Sequence, residues 1–151
     1  MQRRRLFKLM LGLGMAIGLT KVSRQSIASE RNDRFVTGDF QYHFDNVMSH
    51  QTLIDSPDIQ LGLPSIAENG AVVPLTISSE LEGIDQLMVW VEKNPTPLAA
   101  SFEISPNVAL YITARIKMAK SCPVIVVARQ GDRWLRCQQW VQVMQGGCGT
   151  G

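Results

Sequence analysis

Cysteine is scarce in this chain and histidine scarcer, with three and two of each among 151 residues. Cys122, Cys137 and Cys148 include no Cys-x-x-Cys pair, so a thiol oxidoreductase would lack its resolving thiol. Three cysteines are too few for a disulfide scaffold, and an odd count leaves at least one free. His43 and His50 stand seven apart with no cysteine or carboxylate at ligand spacing, so ordinary histidines are expected there and no metal or other cofactor.

Long hydrophobic runs are also missing. The run from Leu9 to Leu19, at about 1.5 Å per residue, covers about half of a ~30 Å hydrocarbon core. Preceded by Arg3-Arg4-Arg5, it reads as an export signal and not as an anchor, so no stable membrane insertion is expected. Arg4-Arg5-Leu6-Phe7-Lys8-Leu9 resembles the twin-arginine export motif, with an ordinary secretory signal as the alternative. Ser26 and Ala28 suit the −3 and −1 positions of a signal peptidase, which places cleavage after Ala28.

Excess positive charge disappears with that segment. Residues 1–28 hold six of the fifteen basic residues and no acidic one, leaving nine against thirteen acidic, a net charge of −4. Nothing remains to neutralise a run of phosphates, which excludes nucleic-acid binding as the function.

The remaining 123 residues suit one domain. Residues 29–57 carry Phe35, Phe40, Phe44, Val47 and Leu53 at a broken helical spacing interrupted by Gly38, which predicts a short helix or two over one end of the core. From Asp58 onward, short runs rich in Val, Ile and aromatics alternate with Pro, Gly and Asn clusters. Strands are expected at 59–63, 72–78, 84–92, 99–104, 108–117, 122–130 and 134–144. With little helix among them there are no crossovers for a parallel sheet, so residues 58–144 are expected to form an immunoglobulin-like antiparallel β-sandwich. In the last strand Leu135, Cys137, Gln139, Val141 and Val143 form the more apolar set. Trp90, Met88, Trp140 and Met144 are each assigned to core packing over an interface or cofactor pocket.

A two-residue turn at Gly131-Asp132 sets Cys137 opposite Val126 and Cys122 opposite Val141. The two thiols are then about 13 Å apart along the ladder, beyond the ~7 Å limit for bridging Cα atoms. Cys137 is expected to act as a small buried hydrophobe, and the state of Cys122 stays open.

Cys148 differs, because it follows the last expected strand with glycine on both sides, in Gly146-Gly147-Cys148-Gly149. Glycine favours a hinge there, so 145–151 reads as a swinging arm in which Gly146, Gly147 and Gly149 supply the flexibility. Extended, the four steps from Met144 to Cys148 reach about 13–14 Å. No neighbouring cation or helix N-terminus activates the thiol, so it is expected to be a carrier acted on by other enzymes and not itself a catalyst.

The tail resembles that of the SoxY family, the sulfur-carrier subunits of bacterial thiosulfate oxidation, which end in Gly-Gly-Cys-Gly-Gly. Gly146 to Gly149 match and Thr150 departs. The segments from Ile59 to Pro74, Glu92 to Pro97 and Thr113 to Ala119 look similar too. The resemblance implies a periplasmic carrier holding thiosulfate-derived sulfur on Cys148, paired as a heterodimer with a SoxZ-like subunit. It further implies a cytochrome, a dimanganese hydrolase and, where present, a sulfane dehydrogenase as partners, with no metal or haem on the carrier. The alternatives are a periplasmic interaction module whose tail cysteine forms an intermolecular disulfide, and a divergent SoxYZ-like carrier of another oxidation system.

Overall fold

The computed structural model describes residues 34–144. One helix, α1 (Phe40–Val47), leads into nine strands. Asp39 caps α1 from an extended conformation, its Oδ1 accepting the Tyr42 N–H at 3.0 Å. Phe40, Phe44 and Val47 fall on one face at helical spacing, and Gln41 on the opposite side bonds Asp45 one turn on. The helix stops at Met48, and His50 turns the chain with φ 68°.

The larger sheet is ordered β1 (Leu53–Asp55), β9 (Arg133–Val143), β8 (Cys122–Gln130), β5 (Ile84–Val91), β6 (Leu98–Glu103), with β3 (Ile66–Ala67) also against β9. The smaller sheet is β2 (Gln60–Gly62), β4 (Val73–Ser79), β7 (Leu110–Ile116). Between them lies the main core: Val73, Leu75 and Ile77 from β4 meet Leu87, Val89, Val91, Val124, Val126, Ala128, Leu135 and Val141.

The opposite face of the larger sheet is covered by α1. Phe44 and Met48 pack on Met88, Trp90, Leu98, Ile125 and Val127, with Trp134 at the margin. The Trp90 ring is enclosed by Phe40 and Phe44, both edge-on, at centroid distances of 6.2 and 5.2 Å. This second layer explains why β5 from Leu87 to Val91 and β8 from Val124 to Ala128 read as unbroken apolar runs: both of their faces are buried there.

The structure is mainly β, in two sheets with one short helix, as the sequence predicts. The β8–β9 hairpin has the expected register, with Cys122 opposite Val141 and Cys137 opposite Val126. Gly131 at its turn adopts φ 58°, a left-handed value that glycine takes without steric cost.

Two pairings depart from the antiparallel expectation: β1 and β3 both run parallel to β9. At three and two residues they are too short to show periodicity. Far from β9 in sequence, they are held by tertiary pairing and not by a turn. The strand β1 also lies within the stretch expected to be helical.

Candidate functional site

Cys148, Gly146, Gly147 and Gly149 lie outside the described residues, as do the signal positions of residues 1–28. The structure instead defines the platform from which the tail departs. Val143 N–H donates to Ser121 Oγ at 2.9 Å, and Met144 N–H donates to the Ala67 carbonyl at 2.9 Å. One step back, Gln142 N–H donates to the Ser65 carbonyl at 2.9 Å. The last described strand is thus pinned on both sides, by β8 and by the β3 segment.

A third element closes on the same point. Met118 N–H bonds the Gly70 carbonyl at 2.7 Å, and a Cβ on Gly70 would collide with the Met118 carbonyl and stand 2.8 Å from Val143 Cγ1. Only glycine fits between those two without displacing one of them.

Beside this root, Asn94 staples two loops, its Nδ2 donating to the Lys117 carbonyl at 2.7 Å and its Oδ1 accepting from Ala119 N–H at 2.8 Å. Two hollows flank the staple. One, of about 490 Å³, lies over Gly70, Thr96, Lys117 and Met118; the other, of about 560 Å³, lies between the start of α1 and Lys93 and Lys120. Glu92 neutralises Lys93 at 2.9 Å.

The cysteines within the described residues are both free thiols. Cys122, left open by the sequence, is fully buried, and desolvation raises its pKa against the smaller opposing effect of backbone hydrogen bonding at Lys93. Cys137 packs against the main core but is half-buried and not enclosed, and burial raises its pKa as well. Gln139 breaks the apolar set of β9 because its Nε2 donates to the Leu63 carbonyl at 2.9 Å, which satisfies the amide at the core margin.

Trp90 and Met88 are core residues, but Trp140 and Met144 are not: they are 60% and 50% exposed. Core packing was the expectation for all four. The correction has a simple cause, since α1 covers the outer face of β9 only as far as Trp134 and leaves its distal end open. His43 stacks edge-on against Tyr42, and among the described residues no group of three or more His, Cys, Asp or Glu side chains could hold a metal ion. No helix among the described residues is long and apolar enough to cross a membrane.

Sequence reasoning missed the pinning of the root. Ser121, Ala67 and Gly70 act through backbone groups and a hydroxyl; Ala67 and Gly70 lie within the Ile59 to Pro74 segment, but nothing in it marks them as contacts to the end of β9. The only local signal was turn chemistry at Pro64-Ser65 and Asn69-Gly70.

Residues 44–148 match the model of a family described as sulfur oxidation protein SoxY. Among solved structures, the sulfur carrier protein SoxY from Chlorobium limicola f thiosulfatophilum is 28% identical with a TM-score of 0.62, the match covering 78% of this chain and 99% of that one. A superoxide reductase (neelaredoxin) from Ignicoccus hospitalis is 11% identical at a TM-score of 0.47, the match covering 57% of this chain and 80% of that one. No curated protein matches the chain significantly.

Proposed function

We propose, from the premise that this chain belongs to the SoxY family of sulfur oxidation proteins, that it is a periplasmic carrier that holds thiosulfate-derived sulfur on Cys148 and presents it to partner enzymes. The observation that carries the proposal is that the family match runs through residue 148 and so includes the tail thiol. The 28% identity to a solved sulfur carrier across nearly its whole length supports it.

Cys148 thiol and thiosulfate join sulfur to sulfur, losing one proton and two electrons to a cytochrome and leaving Cys-S-S-SO₃⁻. Water, under a dimanganese hydrolase, then cleaves the S–SO₃ bond, releasing sulfate and a proton and leaving Cys-S-SH. Where present, a sulfane dehydrogenase oxidises the remaining sulfur. A carrier needs no activated thiol for this, because the receiving sites impose the reactivity.

Gly146, Gly147 and Gly149 give the arm its freedom, and the pinned root fixes where its reach begins. A SoxZ-like subunit completes a heterodimer, and a twin-arginine signal in residues 1–28 exports the chain. Cells carrying Cys148→Ser test the proposal: they should fail to oxidise thiosulfate while keeping the protein at normal abundance. Normal oxidation by those cells would refute it.

A further inference from the structure

Exposed apolar side chains lie on one face beside the root of the tail. Trp140 and Gln142 on the outer face of β9 and Met144 just past its end share that face by alternation, and Ile66 on β3 stands in register with Gln142. Trp140 is 60%, Ile66 53% and Met144 50% exposed. Pro123, paired with Trp140, extends the surface onto β8. Three large apolar side chains clustered at one open end of a sheet exceed the scattered exposure expected of a solitary surface.

Reach decides what covers them. Cys148 is four residues beyond Met144, so its Cα lies within about 13–14 Å of the Met144 Cα however the chain runs. An enzyme that closes its active site around the Cys148 sulfur therefore brings its own surface within that reach of Met144, where Trp140 and Ile66 are the neighbouring exposed apolar side chains. The arm offers backbone hydrogen bonds but little apolar surface, because Gly146, Gly147 and Gly149 carry no side chains to bury. The apolar part of recognition then falls to the body of the carrier, at the place where the arm leaves it.

We infer that Trp140, Ile66 and Met144 form a docking collar for the apolar rim of the channel through which a sulfur-processing enzyme receives Cys148. The inference rests on the carrier function proposed above. A collar of this size suits a brief encounter, as a carrier that must leave one enzyme for the next requires. Trp140 is its expected anchor, since a central aromatic side chain supplies most of the energy of a small interface.

The test uses the whole carrier with its companion subunit, thiosulfate, and the purified thiosulfate-conjugating cytochrome of the same cell. Initial conjugation rates are measured against carrier concentration for the native protein, Trp140→Ser and Ile66→Ser. Each variant should lower kcat/KM, Trp140→Ser by about tenfold or more, through KM and with kcat little changed. Reaction of Cys148 with dithiobisnitrobenzoate should stay within about twofold of native, because a small reagent needs no docking. Native-like conjugation in both variants would overturn the collar. Loss of the companion subunit from either variant on size exclusion would also overturn it, by assigning the face to a permanent interface. A native protein that is never conjugated would instead overturn the carrier function itself.

Discussion

Burial separates the cysteines widely enough for thiol kinetics to read the structure. Cys122 is fully buried on β8, which is hydrogen-bonded to β5 on one side and β9 on the other. Dithiobisnitrobenzoate reaches it only when that strand pairing opens. Domains of this size have stabilities of about 5–15 kcal/mol, and every ~1.4 kcal/mol is tenfold, so even the low end leaves an open fraction of about 1 in 10³ to 10⁴. Burial raises the Cys122 pKa and reduces the reactive thiolate further.

Cys122 should therefore react about 1,000-fold or more slowly than a free thiol at pH 8. Cys137, half-buried with its pKa also raised, should lag a free thiol by about tenfold. With Cys148 as the accessible carrier thiol proposed above, one equivalent should react in a fast phase, and Cys148→Ser should remove that phase. Cys122→Ala and Cys137→Ala each leave its amplitude unchanged. A fast equivalent that survives Cys148→Ser, or Cys122 reacting within about tenfold of a free thiol, would refute the reasoning.

Phe44→Ala removes a ring that packs edge-on against Trp90 at 5.2 Å and should destabilise the domain by about 3 kcal/mol, read from urea unfolding followed by tryptophan fluorescence; a loss under about 1 kcal/mol would mean α1 is not an integral layer. Asp55 accepts two hydrogen bonds from the Arg136 guanidinium, chiefly for which its pKa lies below the ordinary 3.8. A carboxylate shifted down stabilises the fold above its ordinary pKa, and that contribution disappears as pH falls through the lowered value. Protection of the Ser56 amide, bonded to the Arg136 carbonyl at 2.9 Å, should weaken across that acid window in the native protein and show no such step in Asp55→Asn.

The parts of the fold visible in the sequence were those with a repeating pattern or a turn of known geometry. Gly131-Asp132 fixed the β8–β9 register, and through it the separation of Cys122 from Cys137, because a short hairpin leaves only one pairing. The β1 and β3 pairings were invisible, being short and made with a strand remote in sequence. Trp140 and Met144 were misassigned because alternation tells which face a residue shares, not whether another layer covers that face. Trp134 and Trp140 share a face of β9, yet α1 reaches only the first. Cys148 lies outside the described residues, and its reading rests on the glycines that surround it in the sequence.

The most direct test is the intact mass of the protein isolated from cells oxidising thiosulfate. Sulfane and thiosulfonate increments that map to Cys148, and that vanish in Cys148→Ser while Cys122 and Cys137 stay unmodified, are the predicted result. A bare Cys148 under those conditions, or adducts that persist in Cys148→Ser, would contradict the carrier function.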